Sequence, residues 1–290
     1  MTKEDFLAEV KDNGLFTNSF ETMYKEFCSI QSLAVETLKY FHLFCQKHNI
    51  HYQLAYGSLL GAVRDGGQIP WDYDADVFVP HNERERLVNA LKSDIDKNYY
   101  FNCIENNKKC HSNLLRICPR GYNINVIHVD VFFLVGTPND AKERRQFAQR
   151  LSNIQRIYFK KKVNPYLMSY GNFKVMFNFI RNKIKLINIS SKKLESEREM
   201  LCQMYDIQDS KFVVDSGISA CDKSFPSSFV YNTILFDTTN GQFYITKDFN
   251  TILTEVYGNY NKPLPIEQRI LEVEKSYNHF TKFGKKEINI

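Results

Sequence analysis

Apolar residues recur at three- and four-residue steps over residues 20–48, which is the spacing of one face of a long helix. They are Met23, Phe27, Ile30, Leu33, Ala34, Leu38, Phe41 and Phe44. The pattern then predicts a short strand over 51–56, a turn at Gly57-Ser58 and a short helix over 58–64. The pair Gly66-Gly67 would end that helix, because glycine adopts the backbone conformations that follow a helix end.

Alternating and β-branched residues predict strands over 74–79, 99–104, 114–118 and 123–135, of which the last is the most apolar. Helices are predicted over 82–95 and from Thr137 to about Phe159. Further on, the pattern predicts helix through a basic segment, strands over 229–236 and 242–245, and a helix over 247–257. We therefore expect an α/β (α+β) fold, a mixed sheet flanked by helices with a helical and mixed C-terminal elaboration.

Neither an internal repeat nor a low-complexity linker divides the 290 residues, so one domain over 1–290 is expected. Within it we expect a catalytic core over about 41–160, a basic helical segment over 150–194 and a closing region over 224–275. No apolar run reaches the roughly 20 residues that span a bilayer. The first ten residues carry acids where a secretory leader has bases and an apolar stretch. A soluble, cytoplasmic protein is the expectation.

Seven scattered cysteines argue against a disulfide framework and for reduced thiols. Cys103, Cys110, His111 and Cys118 cluster loosely, but C-x6-C-H-x6-C is not a usual zinc-ligand spacing. Buried, unreactive thiols are the main interpretation, and a zinc site is the alternative.

The positive charge of the chain is concentrated in one segment. Residues 150–194 contain eleven Lys and Arg and no acid, which leaves 27 basic against 33 acidic residues elsewhere. A basic amphipathic helix there would lie on an anionic membrane surface, in peripheral contact with it. A solvated face around a core stripe is the alternative. Nucleic acid is not expected as a partner, because no recognised binding motif accompanies the basic residues.

The most informative stretch is Y-G-S-L-L-G-A-V-R-D-G-G-Q-I-P-W-D-Y-D-A-D-V-F-V-P, residues 56–80. Asp72, Asp74 and Asp76 stand two residues apart, so an extended chain would present all three on one face. Three like charges at that spacing repel one another, and a cation among them would relieve the repulsion. Asp130 is a lone acid inside the apolar strand V-I-H-V-D-V-F-F-L and needs a metal or a base as partner.

These carboxylates and the Gly57-Ser58 turn form a pattern that resembles the nucleotidyltransferase superfamily. Oxygen ligands favour Mg²⁺ or Mn²⁺ over zinc. The backbone amides of the turn could hold phosphate oxygens, and Arg64 could neutralise charge that develops on a phosphate.

The longer string is more specific. G-S-L-L-G-A-V-R-x-G-G-x-I-P-W-D-Y-D-A-D resembles the signature of the LicD family, which includes fukutin and the fukutin-related protein. H-V-D-V-F-F, around Asp130, and L-T-E-V-Y-G-N-Y-N-K-P-L-P-I-E-Q-R, residues 253–269, resemble two further family elements. The resemblance spans about 41–269. Asp65 stands where the family often has His, and segment 150–194 matches no family motif.

The resemblance implies transfer of a phosphorylated alcohol, foremost phosphocholine, from a CDP-activated donor to a hydroxyl of a cell-surface glycan, with release of CMP. The acceptor would be a surface polysaccharide such as lipopolysaccharide, teichoic acid or capsule, in a lipid-linked form at the membrane.

The resemblance also implies a role for each site residue. Asp74 and Asp76 would bind the metal, and Asp130 would bind it or act as base on the acceptor. Asp72 would support these ligands or be a further one. The donor diphosphate would be held by Gly57, Ser58 and Arg64. Trp71 would pack beneath the carboxylate loop, with stacking on the cytosine ring as the alternative, and Tyr257 would close the fold.

Two other functions use the same residue types. A nucleotidyltransferase that releases pyrophosphate would need the same carboxylates. A non-catalytic nucleotide- or glycan-binding module is the remaining alternative, although it would not need all four aspartates.

Overall fold

The sheet is built around one fully buried strand. A computed structural model describes residues 1–165, 172–217 and 223–285. At its centre lies β5 (Val129–Gly136), of which all eight residues are buried. So apolar a strand is stable only where both faces are covered. Strand β2 (Ala75–Pro80) runs parallel to β5, with Asp76 directly opposite Asp130.

The other strands join this pair antiparallel. The order is β1-β2-β5-β4-β3, and β6 connects β5 to β7. These strands are β1 (Gln53–Leu54), β3 (Tyr99–Asn102), β4 (Leu115–Pro119), β6 (Phe212–Asp215) and β7 (Phe225–Pro226). A separate hairpin consists of β8 (Thr233–Thr238) and β9 (Gly241–Thr246). The predicted mixed α/β fold is confirmed.

Helices cover the sheet and extend beyond it. In chain order they are α1 (Lys3–Asp12), α2 (Asn18–His48), α3 (Tyr56–Leu60), α4 (Arg84–Asp94), α5 (Ala141–Lys162), α6 (Phe173–Lys185), α7 (Ser191–Cys202), α8 (Ser228–Tyr231), α9 (Phe249–Tyr257) and α10 (Ile266–Phe283). A π-helical turn (Gly61–Asp65) continues α3, and a 3₁₀ turn (His81–Glu83) precedes α4. In the described part of the chain, no helix is both long enough and apolar enough to cross a bilayer.

Most predicted elements are present, and three are wrong in extent. The strand predicted over 51–56 consists only of Gln53 and Leu54. The strand predicted over 123–135 begins only at Val129, because residues 123–127 form a turn in which Asn123 accepts hydrogen bonds from Asn125 and Val126. The strand predicted over 229–236 begins only at Thr233, because the preceding residues form α8. Short apolar runs fit a buried helix and a buried strand equally well.

Distant parts of the chain share one core. Its buried residues range from Phe6 in α1 to Val273 in α10. The buried Arg269 pairs with Glu9, and its guanidinium lies 5.0 Å from the centroid of the Trp71 ring. This contact brings α1, α10 and the loop that precedes β2 together. The division into a single domain stays a prediction.

The glycine-rich loop after α3 is packed too tightly for side chains. A Cβ on Gly61 would lie 2.4 Å from the carbonyl oxygen of Gly67 and 3.1 Å from the Ile69 nitrogen. The tip of the β8–β9 hairpin holds this loop in place. Thr239 N–H donates to the Gly66 carbonyl at 2.7 Å, and Gln68 N–H donates to Asn240 Oδ1 at 2.7 Å.

We predict that Gly61→Ala lowers the free energy of unfolding by about 2–3 kcal/mol, because backbone atoms cannot move away as a flexible side chain could. Chemical denaturation measures the loss. Gly14→Ala is the control, since its Cβ would meet nothing within 4 Å and adds only the strain of φ = 69°, about 1 kcal/mol. Equal losses in the two variants would contradict the close approach.

Candidate active site

The site begins at a strand–turn–helix junction. Tyr56, the first residue of α3, has φ = 39°, a value uncommon outside glycine. Its ring packs edge-on between Phe78 and Phe132, and its hydroxyl donates to Asp215 Oδ2 at 2.9 Å. These contacts hold the strained residue and so orient Gly57 and Ser58, which lie in the first turn of α3 and not in the separate turn that the sequence predicted.

The turn is joined to strand β2. Ser58 Oγ accepts a hydrogen bond from the Asp76 backbone N–H at 2.9 Å, and the Gly57 N–H donates to the Asp76 carboxylate. A Cβ on Gly57 would lie 3.0 Å from Asp72 Oδ2 and 3.9 Å from Asp76 Oδ2. Glycine is therefore needed here so that both carboxylates can approach the backbone. The turn expected to hold phosphate thus also positions a carboxylate.

Asp72, Asp74 and Asp76 do come together, although only Asp76 lies in a strand. Asp72 and Asp74 precede the first residue of β2 in irregular backbone. Burial raises the pKa of all three carboxyls, and their mutual repulsion raises those of Asp74 and Asp76 well above the usual range. The sequence prediction of a crowded acidic cluster is confirmed, and the cluster has an unmet need for positive charge.

Asp130 has two basic neighbours. Arg116, opposite it on β4, donates to Asp130 Oδ1 through Nε at 2.7 Å, and His128 Nε2 lies 3.3 Å from Oδ2. Burial by itself would raise the pKa of Asp130, but Arg116 and His128 lower it below the usual range. From the sequence we expected this buried acid to have a base or a metal as its partner. The structure gives it two basic partners, Arg116 and His128.

A cavity of about 330 Å³ opens beside Asp72. Arg64 lines it, with its guanidinium held by Asp65 through hydrogen bonds of 3.0 and 2.7 Å. The other lining residues include Gly57, Trp71, Tyr257, Tyr260, Lys262 and Glu272. Asp72, at one end of the acidic cluster, and two cationic side chains, Arg64 and Lys262, therefore border one small concave space, which is typical of a ligand site.

The aromatic residues of this region have different roles. Trp71 is 5% exposed, with Phe6, Arg64 and Arg269 around its ring. This matches the interpretation of Trp71 as packing and leaves little ring surface for a base. Tyr257 is 41% exposed and lines the cavity, so its side chain faces the site that we expected it only to close.

The donor atoms suit a divalent cation that binds together with a phosphate ligand. Across residues 1–165, 172–217 and 223–285, no group of three or more His, Cys, Asp or Glu side chains is arranged to hold a metal ion. Mg²⁺ rarely has such a complete protein cage. It usually takes one or two carboxylates and fills its shell with water and substrate phosphates. The cluster of half-buried carboxyls with raised pKa values fits that kind of site.

The zinc alternative gains no support. Cys103, Cys110 and Cys118 are buried, and burial raises the pKa of Cys103 to about 12, so its thiol stays protonated. These cysteines act as small apolar side chains. Cys221 lies outside the described residues.

Arg116 and His128 were missed by the sequence interpretation. His128 stands two residues before Asp130, so the alternation of a strand could have placed it on the same side. No local signal marked Arg116, because its pairing with Asp130 depends on the register between β4 and β5.

Comparison with known proteins agrees with this geometry. Residues 49–176 match the protein family described as LicD/FKTN/FKRP, nucleotidyltransferase domain. The chain is also 24% identical over 266 residues to the lipopolysaccharide cholinephosphotransferase LicD of Haemophilus influenzae, an alignment that covers 85% of this chain and 96% of that protein. The matched region contains Gly57, Ser58, the acidic cluster, Arg116 and Asp130, and over these residues the chain is similar to the LicD family.

Proposed function

We propose that this protein transfers phosphocholine from CDP-choline to a hydroxyl of a cell-surface glycan and releases CMP. The observation that carries the proposal is the 330 Å³ cavity, in which Asp72 of the acidic cluster lies together with aromatic and cationic side chains. The similarity to a lipopolysaccharide cholinephosphotransferase along most of both chains supports the same chemistry.

The cavity has the features needed for each part of such a donor. Arg64 and Lys262 would pair with the diphosphate. Tyr257 and Tyr260 offer aromatic surface, and Glu272 offers a carboxylate, which together suit a quaternary ammonium. An uncharged polyol such as ribitol would gain nothing from that combination, and this favours choline as the alcohol.

In the reaction, the acceptor oxygen bonds to the phosphorus that carries choline, the bond from that phosphorus to the CMP oxygen breaks, and CMP leaves. Mg²⁺ or Mn²⁺, bound by Asp74 and Asp76 with Asp72 beside them, would neutralise charge on the diphosphate. Asp130 by itself is a weak base, because its pKa is lowered. We therefore assign the acceptor proton to His128, which is oriented by Asp130 and has no hydrogen-bond partner for Nδ1 in the described part of the chain.

We also propose that the protein meets a lipid-linked acceptor at an anionic membrane surface through α6. The apolar side chains along this helix and just beyond it follow one helical face, and no residue of α6 is buried. They are Phe173, Phe177, Ile180, Ile184 and Ile187. The sequence alternative of a core stripe is therefore wrong, because none of its residues is buried. That stripe was Val175, Met176, Phe179, Ile180, Ile184 and Ile187.

The attachment of α6 to the rest of the protein leaves that stripe open. Phe179 contacts Phe159 of α5 with ring centroids 6.4 Å apart, and Lys161 Nζ donates to the Leu186 carbonyl at 2.9 Å. Lys174, Arg181 and Lys185 accompany the stripe, with no acid from 150 to 194. An apolar face with purely basic flanks matches anionic headgroups above acyl chains.

The catalytic proposal is tested by incubating the protein with Mg²⁺, a glycan acceptor and CDP-choline, CDP-ribitol or CDP-glycerol, and measuring CMP by chromatography. CMP should form, fastest from CDP-choline. Asp74→Asn and Asp76→Asn should each lower the rate by about 10³-fold or more without loss of stability, since each removes a repelling charge. His128→Gln should lower kcat in the same assay.

Asp237→Asn, an exposed aspartate in the β8–β9 hairpin, is the matched control and should keep full activity. Unchanged turnover in either cluster variant would exclude the metal role. Release of pyrophosphate from a nucleoside triphosphate, with no CMP from any CDP-alcohol, would favour the nucleotidyltransferase alternative.

If choline is the transferred alcohol, replacing Tyr257 should change KM for CDP-choline selectively. Tyr257→Leu should raise KM for CDP-choline by about tenfold, because it removes one cation–π contact of about 1–2 kcal/mol, and should leave KM for CDP-ribitol nearly unchanged. Tyr257→Phe keeps the ring and should behave as the wild type. An equal rise of KM for CDP-choline and CDP-ribitol would show that Tyr257 does not distinguish the two alcohols.

The membrane proposal predicts sedimentation with vesicles that contain phosphatidylglycerol, and weaker sedimentation at high salt. Replacing both Phe177 and Ile184 by Ser should lower partitioning by about tenfold or more, since two buried apolar side chains are lost. Leu43→Ser, on the exposed face of α2, is the control. Equal loss in the control, or no binding to anionic vesicles, would overturn the assignment.

A further inference from the structure

A second cavity lies at the opposite end of strand β2 from the acidic cluster. It is a groove of about 690 Å³ between α4 and α7, and His81, the residue directly after β2, lines it. His81 is five positions after Asp76 in the chain, which corresponds to about 17 Å along a strand. The groove is therefore distinct from the candidate active site.

The inner wall of the groove contains a buried guanidinium, and two of its nitrogens have no hydrogen-bond partner in the described part of the chain. Arg198 is 1% exposed, and its Nε and Nη1 make no hydrogen bond within residues 1–165, 172–217 and 223–285. Its guanidinium lies 5.4 Å from the centroid of the Tyr158 ring, which cannot neutralise a full charge. Removing an ion from water costs several kcal/mol when no counter-ion replaces the lost hydration.

The neighbours of Arg198 increase this need for an anion. Arg84 also lines the groove, but its charge is met by Glu105 through hydrogen bonds of 2.7 and 3.1 Å. His81 is 8% exposed, and its Nε2 has no hydrogen-bond partner in the described part of the chain; Glu199 lies 3.8 Å away. Burial lowers the pKa of His81 to about 4, so Arg84 and Arg198 are the cations of the inner wall at neutral pH. Two carboxylates of the groove already have partners, because Glu105 pairs with Arg84 and Glu195 accepts a hydrogen bond from Tyr158.

The rim of the groove restricts the ligand further. Lys92 and Lys192 add positive charge, while Glu85 and Glu199 oppose a ligand with many charges. Several neutral polar side chains complete the rim and suit hydroxyl groups. They are Asn82, Asn89, Ser196 and Gln203.

We propose that the α4–α7 groove binds a small hydroxylated molecule through a single phosphate or carboxylate group, which pairs with Arg198. A guanidinium binds either group with two parallel hydrogen bonds. Sugar phosphates and sugar acids are the chemical classes that fit.

Thermal unfolding of the whole chain in EDTA tests the proposal with inorganic phosphate, glucose 6-phosphate, glucuronate and, as the neutral control, glucose. Equal ionic strength is kept with chloride. A phosphate or carboxylate probe at about ten times its Kd should raise Tm by about 3 °C, and glucose should not. The phosphate and carboxylate arms identify the preferred group.

Three variants locate the effect. Arg198→Met should lose the rise, and in chloride alone its Tm should equal or exceed that of the wild type, because an unpaired buried charge is gone. Arg64→Met, in the candidate active site, should keep the rise. Ser196→Trp, which fills the groove from an exposed position, should lose it with Arg198 intact.

Three outcomes would overturn the proposal. They are the absence of a Tm rise with every anionic probe, an undiminished rise in Arg198→Met, and a lower Tm of Arg198→Met in chloride, which would show that Arg198 has a structural partner.

Discussion

The structure depends on how buried charge is accommodated at the centre of the sheet. Asp76, Asp130 and Arg116 occupy adjacent positions on β2, β5 and β4. An unpaired carboxylate on the fully buried β5 would be too costly to keep. Arg116 lowers that cost for Asp130. Among the described residues, Asp76 can then remain in the sheet without a basic partner of its own. The centre of the sheet thus carries the carboxylate of Asp76 beside the paired Asp130, and a cation at this point would relieve their repulsion.

The need to bring carboxylates close together also explains the unusual backbone of Tyr56 and Gly57 at the start of α3. Carboxylates that share a cation must approach one another and the surrounding amides closely. Gly57 allows that approach, because a side chain there would contact Asp72. Tyr56 accepts a positive φ since its ring and hydroxyl are held by Phe78, Phe132 and Asp215. The strained backbone of Tyr56 persists because the packing around the residue holds it in place.

Two regions outside the centre of the sheet, the stripe of α6 and the groove beside α7, have unusual surfaces. The exposed stripe of α6 leaves apolar surface where a compact enzyme would bury it. In the groove beside α7, Nε and Nη1 of Arg198 have no hydrogen-bond partner among the residues that the structure describes. Each is unfavourable for an isolated chain. Each becomes favourable once a lipid surface or an anion is bound, and such features are typical of binding surfaces.

The sequence by itself determined the local features. The apolar period of α2, the buried run of β5 and the closely spaced aspartates depend on residues near one another in the chain, so their elements and their crowding could be predicted. Tertiary structure decided the partners. Arg116 reaches Asp130 through strand register, and Tyr257 reaches the cavity through the packing of α9. The arrangement of α4 and α7 leaves two nitrogens of Arg198 without a partner in the described part of the chain. Such contacts join residues far apart in sequence, and a periodic pattern carries no information about which distant side chain will complete a pair.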